Sequence, residues 1–230
     1  MRRPFYFILL LLLSMLACQA AIIMDQTYTA TFLKNNAIFP TRTATLTGTN
    51  PAKIEFGTGS TFDTMMRYQI VSAGAFSNSI EYLIKLTVTG YEALLSDSDF
   101  TIALFDGTNV VGFCNSDDAN NQNYFFENTT YIPTTNPAMA NFPSISTFQA
   151  HLLLGTTTTV TGIAGTATET RVSGLTLDRS SALSIVLVAN DSGERYRFES
   201  IHVQIEASVP EFSTFYLLSL ASIFLYFKKR

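Results

Sequence analysis

The sequence predicts an all-β protein: an antiparallel β-sandwich, jelly-roll-like, with an N-terminal signal helix and a C-terminal transmembrane helix. The interior of the chain consists of short runs rich in Val, Ile, Thr, Tyr and Phe, separated by clusters of Gly, Asn, Asp, Ser and Pro. About ten such runs follow one another at close spacing, which is typical of a sandwich. No long amphipathic helical pattern interrupts them, and each end of the chain carries an apolar stretch beside cationic residues.

Residues 1–20 have the pattern of a secretory signal peptide. A pair of arginines provides the cationic start, and residues 5–16 form the apolar segment. Small residues follow, which predicts cleavage by signal peptidase between Ala20 and Ala21.

Two other interpretations of this segment remain open. Cys18 completes a partial lipobox, Leu16-Ala17-Cys18, which would make the protein a lipoprotein. Without cleavage, the apolar run would instead remain as an N-terminal anchor. All three interpretations predict export of the domain that covers residues 21–208.

Alternation of apolar and polar residues predicts several strands in this domain. In residues 81–89 every second residue is apolar; the buried face would hold Tyr82, Ile84, Leu86 and Val88. Residues 197–207 predict the last strand, whose inward residues would be Phe198, Ile201, Val203 and Ile205. Residues 27–33 alternate in the same way. Shorter strands are predicted at residues 54–56, 150–154, 157–163 and 182–189.

Residues 102–105 and 110–113 predict a β-hairpin. Asp106 and Gly107 lie between these two apolar runs, and an Asp-Gly pair supplies the positive φ that a tight hairpin turn requires. Residues 115–147 are polar and Asn-rich at first and then interrupted by prolines, which predicts a long loop. Such a loop is either functional or mobile.

Composition limits the classes of partner. Without the two terminal segments, residues 21–209 keep 9 of the 14 Lys and Arg and 17 of the 18 Asp and Glu, a net charge of −8. An acidic domain of this kind is a poor partner for nucleic acid or anionic lipid. Cys114 is the single cysteine after the signal segment, so no disulfide can form within the exported domain.

Residues 209–230 form a tail with three consecutive parts: a Pro-Glu motif, an apolar run over residues 212–227 and a basic end over residues 228–230. A helix that is apolar on every side belongs in lipid or in a deep core. Three terminal cations argue against the core, since buried unpaired charges are costly. The run would extend about 24 Å as a helix, somewhat less than the ~30 Å of a bilayer core. The tail therefore predicts a membrane helix whose cationic end, Lys228, Lys229 and Arg230, stays on the cytoplasmic side.

This tail resembles the PEP-CTERM sorting signal of Gram-negative bacteria. The residues that match the motif are Val209, Pro210, Glu211, Ser213 and Thr214. Phe212 stands where the family usually has Pro, and two lysines precede a single arginine. The resemblance implies recognition by an exosortase-type protease-transpeptidase in the membrane, with release or transfer to the cell surface. It also implies a jelly-roll domain, since many such proteins carry domains similar to carbohydrate-binding modules. The alternative is a plain tail anchor that is never processed.

Acidic pairs in loops are the candidates for a metal site. Calcium requires oxygen ligands grouped in loops, and the sequence offers Asp97 with Asp99 and Asp117 with Asp118. No segment matches a complete calcium loop. These acids therefore fit either a structural calcium, the single cofactor considered, or ordinary solvated loop residues.

Sugar binding would require exposed aromatic rings. The chain has no Trp, which weakens this interpretation, but Tyr91, Tyr124 and Tyr131 lie in or near loops. An enzyme is a third interpretation. His151 and His202 are the only histidines, both within predicted strands, and no nucleophile or phosphate-binding motif is present.

The sequence therefore predicts an exported cell-surface or extracellular-matrix protein that is not an enzyme. It would be tethered to the inner membrane, at least transiently, and would have a structural or adhesive role with exopolysaccharide. A carbohydrate-binding module with a defined glycan site is the alternative.

Overall fold

The computed structural model describes residues 21–39, 44–56, 64–94, 100–115, 123–128, 130–133, 145–153, 158–164, 167–189 and 195–208. These residues form antiparallel β-sheets and one short helix, α1 (Ala30–Asn36). The prediction of an antiparallel all-β protein is thereby confirmed at this level. The predicted signal helix and transmembrane helix lie outside the described residues.

Sixteen strands lie in the described part of the chain. In order they are β1 (Ala21–Thr29), β2 (Ala44–Thr47), β3 (Lys53–Phe56), β4 (Thr64–Val71), β5 (Glu81–Thr89), β6 (Glu92–Ala93), β7 (Phe100–Phe105), β8 (Val110–Asn115), β9 (Asn123–Glu127), β10 (Thr130–Pro133), β11 (Ile145–Leu152), β12 (Thr158–Ala164), β13 (Ala167–Ser173), β14 (Leu183–Ala189), β15 (Tyr196–Phe198) and β16 (Ser200–Ser208).

The strands form three sheets. Sheet 1 has the order β1-β16-β5-β11-β12-β13, and sheet 2 has the order β10-β9-β8-β7-β14-β4. Sheet 3 is smaller and has the order β2-β3-β15-β6. Inward residues of all three sheets belong to one hydrophobic core, so sheets 1 and 2 lie face to face. Gly162 of β12 is so close to the Phe113 ring of β8 that a Cβ at this position would overlap it.

Strand β5 shows why the sequence folds in this way. Its residues alternate strictly between buried and half-buried, and the buried set is the predicted one: Tyr82, Ile84, Leu86 and Val88. Burial of apolar surface contributes about 25 cal/mol per Å². β5 lies between β16 and β11, so its inward side chains are flanked on both sides by the inward side chains of its neighbours.

The hairpin prediction is confirmed. β7 and β8 pair from Phe105 with Val110 onward, and Gly107 has a φ of 101° in the turn. The predicted strands at residues 54–56, 157–163 and 182–189 overlap β3, β12 and β14, and the one at residues 150–154 overlaps only the last three residues of β11, which begins at Ile145.

Residues 27–33 are not a single strand, as the alternation had predicted. β1 ends at Thr29, whose hydroxyl accepts a hydrogen bond from the Phe32 N–H at 3.3 Å and begins helix α1. Ala30 and Leu33 are then buried at helical spacing. The N-cap threonine ends the strand here and begins the helix. Seven residues of alternation are too few to distinguish one continuous strand from a strand followed by a helical turn.

Residues 197–207 contain two strands rather than one. The four predicted inward residues are all buried, but β15 belongs to sheet 3 and β16 to sheet 1. The change of sheet occurs at Glu199, whose N–H donates to the Thr89 carbonyl at 2.9 Å.

The prediction of one long loop over residues 115–147 is wrong in part. β9, β10 and the start of β11 lie in this segment. The abundance of Asn and Pro concealed two short apolar runs, Tyr-Phe-Phe and Tyr-Ile, which are sufficient for strands when a neighbouring strand is available.

Candidate functional site

The outer face of sheet 1, turned away from the core, carries a regular set of threonines. We call Thr87, Thr147, Thr159, Thr161 and Thr170 the threonine face; they lie on β5, β11, β12 and β13. Register pairs join the outer positions of sheet 1 into rows, and three of these rows contain the threonine face. The first is Thr27, His202, Thr87, Thr147, Ile163 and Thr168, the second is Asp25, Gln204, Lys85, Gln149, Thr161 and Thr170, and the third is Ile22, Glu206, Leu83, His151, Thr159 and Val172.

Hydroxyl pairs bridge neighbouring strands on this face. The Thr87 and Thr147 hydroxyls are 3.2 Å apart, and the same distance separates the Thr161 and Thr170 hydroxyls. Threonine is β-branched and suits a pleated surface that is only half-buried. The hydroxyls remain able to give and accept further hydrogen bonds, because each oxygen has one proton and two lone pairs.

Two side-chain pairs lie on this face toward the β1 side. The Lys85 ammonium lies 2.7 Å from a Glu206 carboxylate oxygen. His202 Nε2 lies 2.6 Å from the Asp25 carboxylate. Both pairs are partly exposed, so their contribution to stability is small.

Sheet 3 carries an ion network on its outer face, formed by Lys53, Glu55, Glu92, Arg195, Arg197 and Glu199. Glu92 is its centre, since Lys53 and the Arg197 guanidinium (2.6 Å) both bond its carboxylate. Hydrogen bonds from Lys53 and then from Arg197 hold the pKa of Glu92 below its ordinary value. Three cations and three anions balance here.

Asp106 stabilises the turn between β7 and β8 and also a second loop. Its carboxylate accepts hydrogen bonds from the N–H groups of Thr108 (2.8 Å) and Asn109 (2.6 Å), as an Asp at the start of a turn is expected to do. The same carboxylate accepts a bond of 2.7 Å from the N–H of Asp178, which lies between β13 and β14. Asp106 is only 5% exposed, so these bonds replace water almost completely.

Arg179, next to Asp178, is buried and surrounded by carbonyl groups. Its guanidinium donates to the carbonyls of Ser77 (3.2 Å), Ile80, Leu152 (2.9 Å) and Leu153. It also lies 5.8 Å from the centre of the Tyr82 ring. We call Asp106 and Arg179 together the clasp, because they attach residues 174–182 to both six-stranded sheets.

A few buried polar atoms in the described residues make no hydrogen bond within the protein. They include Thr158 Oγ1, Thr176 Oγ1 and Arg171 Nη1. Arg171 also lies 3.6 Å from Glu127, on β9. Ordered water is the usual partner for such atoms at the edge of a core.

The three tyrosines suggested for sugar binding have different positions. Tyr91 is 3% exposed and packs against Tyr196 in the core, with 5.7 Å between ring centres, so its ring is not available to a ligand. Positions 124 and 131 lie on the paired strands β9 and β10. Register matches Tyr131 with Phe126 and Pro133 with Tyr124, which puts positions 124 and 131 on the same face of the hairpin.

The other predicted site residues fall outside the described part of the chain: Asp97, Asp99, Asp117, Asp118, Ala20, Val209, Pro210, Glu211, Phe212, Ser213, Thr214, Lys228, Lys229 and Arg230. Ala21 is the first described residue and begins β1.

The described residues hold no group of three or more His, Cys, Asp and Glu that is placed to bind a metal. Among the helices in those same ranges, none has the length and apolar character to cross a membrane.

The sequence did not reveal the threonine face or Arg179. The signal for the first was present in Thr157 to Thr161 and in the later Thr168 and Thr170, but β13 was not predicted and register cannot be read from one strand. An isolated arginine in a loop gives no signal of burial.

No protein-family model matches this sequence, and no curated protein does. Solved structures with similar shape include a protein of unknown function from Shewanella oneidensis MR-1, with 11% identity and a TM-score of 0.46, over 84% of this chain and 92% of that one. Lectin I from Ulex europaeus, in complex with the methyl glycoside of α-L-fucose, has 8% identity and a TM-score of 0.45, over 79% and 98%. The CBM2 module of the evolved Dit of Lactobacillus casei BL23 phage J-1 has 10% identity and a TM-score of 0.43, over 81% and 99%. With TM-scores this low, the likenesses carry no argument about function.

Proposed function

We propose that the protein is an exported cell-surface or extracellular-matrix protein whose C-terminal tail is a PEP-CTERM-like sorting signal. Its β-domain has a structural or adhesive role in contact with exopolysaccharide. The observation that carries the proposal is the pairing of β1 with β16, in which Ala21 is the partner of Ala207. The two ends of the described domain are therefore neighbours in one sheet.

Neither predicted processing site falls within a described strand. Cleavage after Ala20 keeps every described residue of β1, the first of which is Ala21. Release at the Pro-Glu motif keeps every described residue of β16, the last of which is Ser208. Both cuts are therefore compatible with the described sheets.

The connections between the sheets favour a jelly-roll arrangement. The chain crosses from sheet 2 to sheet 1 after β4 and after β10, and from sheet 1 to sheet 2 after β13. Crossings of this kind are those of a sandwich with long connections between its two sheets. The net charge of −8 and the outer face of sheet 1, rich in hydroxyl groups, favour a polyhydroxyl partner over nucleic acid.

The test is the intact mass and the cellular fraction of the protein from its native host. We expect a mature chain that starts at Ala21, lacks the residues beyond the Pro-Glu motif and is found at the surface or in the matrix. A full-length tail that stays in the inner membrane would overturn the sorting proposal and leave a plain anchor.

A glycan-binding module with a defined site is the second candidate. It is favoured by the shared hairpin face of positions 124 and 131, because both are Tyr, which combines an apolar ring with a polar hydroxyl group. Replacing both tyrosines with Leu would abolish binding on a glycan array if this function is correct. Unchanged binding would reject it.

A further inference from the structure

We infer that the threonine face is the surface that contacts polysaccharide, and that its partner is an extended, uncharged polysaccharide chain. The inference deepens the proposed function and rests on it. It depends on four properties: the strand spacing of sheet 1, the hydroxyl chemistry of the face, the acidic charge of the domain and the accessibility of the face.

The spacing follows from the register of sheet 1. Neighbouring strands lie about 4.8 Å apart, and alternate residues of one strand about 6.7 Å apart. The second row runs without interruption from Asp25 on β1 to Thr170 on β13. Five strand spacings give a row of about 24 Å, long enough for several sugar rings.

The hydroxyl groups of the threonine face, two of which lie in this row at Thr161 and Thr170, match the chemistry of a sugar chain. Each threonine offers a hydroxyl that both donates and accepts, and a methyl group that can lie against C–H groups of a ring. Gln149, half-buried beside Thr161, adds an amide with the same dual capacity. The hydroxyl pairs at 3.2 Å keep neighbouring side chains in a fixed orientation, which lowers the entropy lost on binding.

The charge of the domain disfavours an anionic partner. On the outer face of sheet 1, Lys85 is paired with Glu206, and Asp25 and Glu81 are further acidic residues at outer positions. The domain as a whole carries −8, which would repel a polymer of uronic acids. A neutral polysaccharide approaches this surface without that repulsion.

The face is accessible where the threonines are densest. Thr170 is exposed and its neighbour Val172 is 59% exposed, while Thr159 and Thr161 on β12 are half-buried. The outer side of sheet 2 differs, since Ala103 is 0% and Val186 4% exposed. At these positions, the outer side of sheet 1 is more exposed than that of sheet 2.

The experiment removes hydroxyls without changing shape. In the full-length protein in detergent, Thr87, Thr147, Thr161 and Thr170 are replaced together by Val, which has the same branching and a high strand propensity. The probes are exopolysaccharide extracted from the native host, a neutral glucan and a polyuronate. The matched control is Thr45→Val, on the exposed side of β2 in sheet 3.

We expect the parent and the Thr45→Val variant to bind the host polysaccharide and the neutral glucan more tightly than the polyuronate. The fourfold variant should lose about tenfold in affinity, because several modest hydrogen bonds disappear together. Its thermal unfolding should stay close to that of the parent. Replacing the four threonines with Ser, which keeps the hydroxyls, should restore most of the affinity.

The possible failures are separate. If the parent binds none of the three polymers, the exopolysaccharide role itself is rejected, and this inference with it. If the parent binds and the fourfold Val variant binds equally well, only the threonine face is rejected. If only the replacement of Tyr124 and Tyr131 with Leu lowers the affinity for polysaccharide, the binding surface is the β9–β10 hairpin and the threonine face is rejected.

Discussion

The clasp and the ion network of sheet 3 use the same kinds of side chain in opposite ways. Arg179 is 7% exposed, and its described hydrogen bonds all go to main-chain carbonyls. In the ion network, Arg197 and Glu92 keep a third or more of their side-chain surface exposed and bond each other directly. The charge of Arg179 is stabilised by the dipoles of peptide carbonyls. The charge of Arg197 is stabilised by an opposite charge, that of Glu92, at the solvent-exposed surface.

This difference separates structural charges from surface charges. A buried charge that has lost its water must keep all its hydrogen bonds, since an unmade bond in the interior is costly. An exposed ion pair can exchange its partner for water at little cost. The number of ion pairs is therefore a poor guide to which charges hold this domain together.

The largest expected effect comes from Arg179→Met, which fills similar space but removes the hydrogen bonds that the guanidinium donates to four carbonyls. We expect it to lower the free energy of unfolding by about 3–5 kcal/mol, measured by urea denaturation. The control is Arg171→Met, because Arg171 makes only a loose contact of 3.6 Å with Glu127. Similar losses in both variants would contradict the distinction.

Asp106→Asn should follow in size, with a loss of about 2 kcal/mol. An amide keeps the shape of the carboxylate but replaces one acceptor oxygen with an NH₂ group, which would then face either the N–H of Asn109 at Oδ1 or the N–H of Asp178 at Oδ2. Asp178→Asn is the control; its exposed side chain bonds only the nearby Ser180 and Ser181. Equal unfolding midpoints for the parent and Asp106→Asn would show that the clasp does not depend on its carboxylate.

Glu92→Gln should cost less than about 1 kcal/mol, although Glu92 is paired with both Lys53 and Arg197. Salt screens exposed pairs, so the difference from the parent should shrink further as ionic strength is raised. Urea denaturation at low and high salt measures both effects. A loss as large as that of Arg179→Met would remove the contrast between the two regions.

The smallest effect concerns pH. Because the pKa of Glu92 lies below its ordinary value of 4.5, its ion pairs stabilise the folded state fully above that pH. This contribution is lost as the pH falls through the lowered pKa of the folded state. The stability difference between the parent and Glu92→Gln should therefore close on the acid side, and a difference that widened there would contradict the assignment.

Whether the sequence predicts a hydrogen bond of the clasp depends on how far apart its two residues are along the chain. The turn role of Asp106 was predicted, since its partners Thr108 and Asn109 are two and three positions away. The partners of Arg179 are 26 to 102 positions away, and no local pattern announces them. The inward residues of β5 and β16 were also predicted correctly because alternation within a strand is local.

The same reasoning applies to the candidate site. Each threonine of the threonine face is visible in the sequence, but the rows depend on how β5, β11, β12 and β13 are aligned. Register is set by the whole sheet. The proposal that the tail is a sorting signal depends only on neighbouring residues, and it remains a prediction that the mass measurement will decide.

The position of β16 has a mechanical consequence. This nine-residue strand lies between β1 and β5 and is hydrogen-bonded to both along almost its whole length. A tensile force applied at Ser208 would therefore be shared by two ladders at once, and extraction of the strand would require both to rupture. An edge strand under the same load would have only one ladder to resist it, so the chain leaves the domain at a point suited to bearing tension.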